Sequence, residues 1–225
     1  MKTLYIIHGW TYTVEPWKKT LEILKNDGFK TKMLHVPGLT EESKKVFTID
    51  DYVKWADEQI PDGAIALGHS NGGRILLNLL SEKPEKLSHL ILLDAAGIYE
   101  KSTKREIKKI IAKLGKPLKK IPLARKVFHK LIGASDYDRA PENMKKTLTN
   151  MLESDKSLDL SNIKTKTSIL WGEADKITPP RQARKLHEKL ENSTLKFHKN
   201  WTHAPYICDP KGLAKDLEKI LKEQN

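Results

Sequence analysis

The stretch Ala64-Ile65-Ala66-Leu67-Gly68-His69-Ser70-Asn71-Gly72-Gly73-Arg74-Ile75-Leu76-Leu77 passes from an unbroken apolar run, through a serine flanked by glycines, into a second apolar pattern. Residues 64–67 have the continuous hydrophobicity of a strand buried on both faces, and residues 72–80 read as a buried helix. Between them, Gly68-His69-Ser70-Asn71-Gly72 fits G-x-S-x-G. A serine on so sharp a turn holds a strained backbone, and side chains two residues to either side would collide, so both flanking positions call for glycine. Three fixed positions in five also arise by chance in ordinary strand-to-helix loops; the weight comes from the strand before and the helix after.

The same alternation extends outward in both directions. Residues 4–7 read as a strand ending at His8-Gly9, and 16–25 as a helix with Pro16 in its first turn and Trp17, Leu21 and Leu24 on one face. Residues 30–36 form the next expected strand, stopped by Pro37-Gly38. Asp50 or Asp51 is expected to cap a helix reaching Ile60, which Pro61-Asp62-Gly63 ends. Beyond the serine, 89–93 and 167–170 read as strands, 179–190 as a helix, 194–198 as a strand and 209–221 as a final helix. Strands alternating with helices build a mostly parallel α/β sheet.

Residues 98–161 break the rhythm. They contain no strand pattern but three helical ones, carried by Ile107, Ile110, Ile111 and Leu114, by Leu123, Val127, Phe128, Leu131 and Ile132, and by Met144, Leu148, Met151 and Leu152. Each has a single apolar stripe that must pack on something. The expected organisation is an α/β core of residues 1–97 and 162–225 with a helical cap, 98–161, inserted over it.

Length and composition set outer bounds. The 225 residues, 38% hydrophobic and 31% charged, suit one α/β domain with an insertion. The formal net charge of +12 is local: residues 101–130 hold 12 Lys and Arg against one acid, Glu106, leaving the other 195 residues nearly neutral. Lysine-rich amphipathic helices can meet anionic membranes or phosphates, but this segment has one aromatic, Phe128, at an apolar helix position, so base-stacking platforms are absent and nucleic acid is not an expected partner. Membrane contact through the basic cap is the less favoured use; a solvated outer face is the plainer one. The single cysteine, Cys208, excludes an internal disulfide and a Cys₂His₂ or Cys₄ zinc site, and is read as a packing residue. His35, His69 and His187 have no ligand spacing. The apolar run at 4–7 is too short for a signal peptide, and a soluble, cytoplasmic protein is expected.

Serine is a poor nucleophile until a base takes its proton and a third group orients that base. Asp175 follows the strand at 167–170, and His203 follows the strand at 194–198. Asp94, Glu173 and His198 are competing candidates: the first also follows a strand, the second is two residues from Asp175, and the third lies inside the last strand. Donors for a developing oxyanion are expected from the backbone N–H of Asn71 and, from the loop after the first strand, of Trp10. Alternatively, His8-Gly9 merely ends that strand. Trp10 and Ile177, beside these loops, are candidates to line a substrate pocket or to be core.

His8-Gly9-Trp10, Gly68-His69-Ser70-Asn71-Gly72-Gly73, Leu92-Leu93-Asp94-Ala95-Ala96-Gly97, Trp171-Gly172-Glu173-Ala174-Asp175-Lys176-Ile177-Thr178-Pro179 and His203-Ala204-Pro205 together resemble the α/β-hydrolase superfamily, in the branch with a helical cap after the sixth strand of the usual sheet. The resemblance spans the chain. It implies Ser70, Asp175 and His203 as a triad, no metal and no organic cofactor. Three departures stand out. The antiparallel strands that often precede the first parallel one are missing or reduced, the loop after His8-Gly9 has no further glycine until Gly28, and Cys208 stands where relatives often have glutamate.

The expected activity is serine-dependent hydrolysis of a small carboxylic ester. Carbon–carbon bond hydrolysis and lactone hydrolysis are the enzymatic alternatives, since the same triad serves them, and serine at the nucleophile position argues against dehalogenase or epoxide-hydrolase chemistry. A binding protein with a basic cap and a relic triad is the alternative of a different class.

Overall fold

The structure, a computed structural model, describes residues 2–99 and 141–224. Its strands are β1 (Thr3–Ile7), β2 (Lys30–Leu34), β3 (Ala64–His69), β4 (Leu87–Leu93), β5 (Thr167–Gly172) and β6 (Ser193–His198). They form one sheet in the order β2-β1-β3-β4-β5-β6, and every pairing is parallel. No antiparallel strand precedes β1 among the described residues.

Parallel strands need crossovers, and the helices supply them on both faces. A 3₁₀ turn (Glu15–Trp17) leads into α1 (Lys18–Asn26); α2 (Ile49–Gln59), α3 (Asn71–Glu82), α4 (Glu142–Ser154), α5 (Pro180–Lys189), α6 (Pro205–Cys208) and α7 (Pro210–Lys222) follow. The strands alternate in period two between the faces. Leu4, Ile6, Ile65, Leu67, Ile91 and Leu93 pack with Trp17, Leu24, Leu213 and Leu217 under α1 and α7. Ile7, Ala66, Leu90, Leu92, Ile169 and Trp171 pack with Tyr52, Ile75, Leu79, Met144 and Leu186 under α2 to α5. Each such side chain withdrawn from water contributes roughly 1.5–3 kcal/mol.

Two local readings change. The cap of α2 is Thr48 rather than Asp50 or Asp51: its hydroxyl accepts from the Asp51 N–H at 3.2 Å, and the Asp51 carboxylate accepts from the Thr48 N–H at 2.8 Å. Asp51 is thus the reciprocal partner three residues on. Cys208 is exposed, not packed. It ends the one-turn helix α6, which directs Pro205 and Tyr206 inward instead.

Of the three helical patterns in 98–161, those at 107–114 and 122–132 lie outside the described residues, as does the basic run 101–130. The third is α4. Its Met144, Leu148 and Met151 are buried, and its Thr147 hydroxyl receives the Phe47 N–H at 2.9 Å, fastening it to the loop before α2.

The chain order places the functional end. From β1 the chain moves outward to β2, then returns to the opposite side of β1 as β3, so the carboxyl ends of β1 and β3 form a switch point where α/β sheets open a crevice. His8-Gly9 and Ser70 lie there. A surface cleft of about 660 Å³ lined by Thr3, Glu15, Lys18, Phe29 and Lys30 lies beside α1, and neither Ser70 nor His8-Gly9 lines it.

Candidate active site

Ser70 has φ +51° and ψ −118°, a conformation non-glycine residues avoid, at a cost of order 1–3 kcal/mol. The surroundings impose it. Ser70 N–H donates to the Leu93 carbonyl at 3.1 Å, and the Ser70 carbonyl accepts from Ala96 at 2.9 Å and Gly73 at 3.0 Å. The glycine requirement has concrete causes: a Cβ on Gly72 would fall 2.1 Å from the Ile7 carbonyl oxygen, and one on Gly68 would fall 2.6 Å from the Gly73 backbone.

Three side chains predicted from sequence meet here. Ser70 Oγ lies 2.9 Å from His203 Nε2, and His203 Nδ1 lies 2.8 Å from Asp175 Oδ2. With Nδ1–H donating to the carboxylate, Nε2 is the bare nitrogen and accepts a hydrogen bond from the Ser70 hydroxyl. Ser70 and Asp175 are buried, and the His203 side chain is 15% exposed, enough to meet a substrate.

Asp175 sits in a loop built to keep it ionised. Burial opposes its charge, but His203, the Thr178 hydroxyl and the Ile177 N–H outweigh burial and hold its pKa below the ordinary carboxylate value. Ile177 and Thr178 N–H groups donate to Oδ1 at 2.7 and 3.1 Å, and Thr178 Oγ1 donates to Oδ2 at 2.6 Å. Trp171 Nε1–H donates to the Thr178 carbonyl at 2.9 Å and fixes that loop. Ala174 N–H donates to the Trp201 carbonyl at 3.1 Å, tying the acid loop to the histidine loop.

The competing residues have other partners. Asp94 is fully buried, with φ +44°, and its Oδ1 accepts from the Gly172 N–H at 2.8 Å. Burial first, and the adjacent negative Asp175 second, raise its pKa well above the ordinary value, so Asp175 is the charged member of the two. His198 is 2.6 Å from Asp216 and stacks on Trp201, ring centroids 3.6 Å apart. Glu173 is exposed.

The turn after β1 is organised by His8. Its Nδ1–H donates to the Gly9 carbonyl at 2.7 Å, and its Nε2 accepts from Thr40 Oγ1 at 2.8 Å. Burial lowers its pKa to about 4, so it is neutral. Trp10 is half-buried against the core, and its indole N–H has no partner among the described residues. Ile177 is half-buried, and its backbone serves Asp175. Asn71 opens α3, where the first N–H groups have no intrahelical acceptor. Its side chain is held by Arg74, whose Nη1 donates to Asn71 Oδ1 at 2.6 Å while Nε and Nη2 grip Asp155 at 2.6 and 2.9 Å. No group of three or more His, Cys, Asp or Glu side chains that could hold a metal converges among the described residues.

Two contributors carry little signal in the sequence. Thr178 was legible only as the third residue after an aspartate in a turn, a position that favours such a bond. His69 was legible only as the variable position before the serine.

The chain is 25% identical over 220 residues to the uncharacterized hydrolase YugF of Bacillus subtilis (strain 168), covering 86% of this chain and 80% of that one. It is 22% identical over 229 residues to the pimeloyl-[acyl-carrier protein] methyl ester esterase of Vibrio campbellii, covering 92% and 89%. Its fold resembles that of a lipase-esterase related protein from Clostridium acetobutylicum ATCC 824, with TM-score 0.78, 20% identity, and coverage of 97% and 93%. The model of the alpha/beta hydrolase fold family matches residues 2–210, and the chain belongs to that family.

Proposed function

We propose that this alpha/beta hydrolase cleaves carboxylic esters through a covalent acyl-enzyme on Ser70. The observation that carries the reading is the continuous hydrogen-bonded chain from Ser70 Oγ through His203 to Asp175, at 2.9 and 2.8 Å, on a backbone strained at the serine.

Ser70 Oγ attacks the ester carbonyl carbon as His203 Nε2 takes its proton. Asp175 holds the imidazole in the required tautomer and stabilises the imidazolium. The oxyanion is held by the N–H groups of Asn71 and Trp10, where one donor is typically worth about 100- to 1,000-fold in rate. His203 returns the proton to the leaving alcohol, and water activated by the same imidazole then cleaves the acyl-enzyme, freeing the acid and Ser70. In this reading Trp10 and Ile177 line the acyl pocket. Ester hydrolysis is favoured over carbon–carbon bond cleavage by the relatives named as methyl ester esterases.

A panel of p-nitrophenyl esters of graded chain length, a methyl ester, and a vinylogous diketone tests the reading with wild type and Ser70→Ala. Ester turnover lost in Ser70→Ala supports it. Turnover of the diketone alone assigns the carbon–carbon chemistry instead, and turnover unchanged by Ser70→Ala overturns the mechanism.

A further inference from the structure

His69 is the variable residue of the serine turn, and neither composition nor the Ser-His-Asp chain asks for a histidine there. It is nonetheless buried, next to Ser70 in the chain and 5.0 Å from the His203 ring. Its Nε2 lies 2.7 Å from the backbone carbonyl of His203, a residue 134 positions away. A carbonyl only accepts, so Nε2 carries the proton and donates, leaving Nδ1 bare. That Nδ1 is buried with no partner among the described residues, and a buried polar atom left unsatisfied is a cost natural folds seldom keep without a use. The ring is wedged tightly. Trp17 and Tyr206 meet it edge-on at centroid distances of 5.9 and 5.1 Å, His203 lies at 5.0 Å, and a Cβ on Gly9 would fall 2.8 Å from Nδ1. One ring therefore touches the histidine loop, the turn after β1 and, through the chain, the serine.

We infer that His69 is a positioning residue: its Nε2–H tethers the His203 backbone to the end of β3 and so sets the imidazole within reach of Ser70 Oγ. Ser70 and His69 are chain neighbours on a rigid strand end, whereas His203 sits on a loop after edge strand β6. Besides the tether, that loop is joined to the site by the Ala174–Trp201 backbone bond and by the contacts of the His203 ring with Asp175, Thr178 and Ser70, none of which holds the His203 backbone itself to the end of β3. The unprotonated Nδ1 suits the task, because a neutral ring 5.0 Å from His203 does not oppose the imidazolium that forms there during turnover. Burial, and after it His203, push the His69 pKa down to about 3, which keeps it neutral.

The inference rests on the proposed roles of Ser70 and His203, and its test separates the two. A fluorophosphonate labels an activated serine whatever the natural substrate, so its second-order labelling rate is measured for wild type, Ser70→Ala, His69→Gln, His69→Asn and His69→Phe, with thermal unfolding of each. Glutamine places an N–H where Nε2 stands, asparagine has the same amide one methylene short, and phenylalanine keeps the ring without the donor. A misplacement of about 1 Å costs on the order of 100-fold in rate. His69→Gln is expected within about threefold of wild type, and His69→Asn and His69→Phe 10- to 100-fold slower, with ester kcat falling and KM unchanged. His69→Phe labelling as fast as His69→Gln assigns the ring a packing role only and overturns the inference, and so do three variants slowed only in proportion to their loss of thermal stability. Wild type that fails to label overturns the serine mechanism itself.

Discussion

The Arg74–Asp155 pair offers a quantitative test of how α4 is joined to the serine-bearing helix. The two side chains are 5% and 9% exposed, they meet through two hydrogen bonds at 2.6 and 2.9 Å, and they are 81 residues apart in the chain. Substituting Asp155→Ala strands the guanidinium in a nearly dry site. Breaking a buried pair this way costs about 3–5 kcal/mol, far above the 0–1 kcal/mol of an exposed pair. With a urea dependence of roughly 2–3 kcal/mol/M for a chain this size, the unfolding midpoint should fall by about 1–2 M. The double variant Arg74→Met/Asp155→Leu fills the site with apolar groups and leaves no stranded charge, so it should be more stable than Asp155→Ala alone. Equilibrium urea unfolding followed by circular dichroism measures both. An Asp155→Ala loss under about 1 kcal/mol, or a double variant as unstable as the two single losses added, refutes the reasoning.

Other outcomes follow from single contacts. Thr178→Val keeps the shape but removes the hydroxyl at 2.6 Å from Asp175; hydrogen bonds to charged groups contribute about 1.5–3 kcal/mol, so kcat should drop about tenfold or more with KM unchanged, and an unaltered kcat contradicts it. Gly72→Ala drives a methyl to 2.1 Å from the Ile7 carbonyl, so it should lower stability by about 3 kcal/mol and abolish serine labelling; a stable, fully labelled variant removes the steric argument. His8 and His69 stay neutral in the fold down to about 4 and 3, against an ordinary value of 6.5. The unfolded chain binds the protons the fold excludes, so their stabilisation is complete above 6.5 and is lost as pH falls toward those values. At pH 5 each ring should cost about 2 kcal/mol, read as a urea midpoint that falls between pH 7 and pH 5; a flat midpoint contradicts it.

The parts of the fold and site that depend on local sequence were readable, and those that depend on distant segments meeting were not. The glycines around Ser70 answer clashes within one turn and the β1 strand beside it, so the pattern itself carries the geometry. Asp175 and His203 could be nominated because parallel strands end on the same side and each residue follows a strand. Asp94 competes with Asp175 because it too follows a strand; both acids are buried, and the His203 contact separates them. Thr178 bears only the weak local mark of standing three residues after Asp175, and His69 acts across 134 residues with nothing local to mark it. Thr48, Asp50 and Asp51 are all good caps by residue type, and only backbone dihedrals decide among them. The one-turn helix at Pro205–Cys208 is too short for a periodic signal that would mark Cys208 as exposed.

The central claim is that Ser70 is an activated nucleophile within the Ser70–His203–Asp175 chain. Treating the protein with a fluorophosphonate, digesting it and locating the adduct by mass spectrometry tests this most directly. One adduct on the peptide containing Ser70, absent in Ser70→Ala and strongly slowed in His203→Ala, is the predicted result. Labelling that persists undiminished in Ser70→Ala, or that fails in the folded wild type, contradicts it.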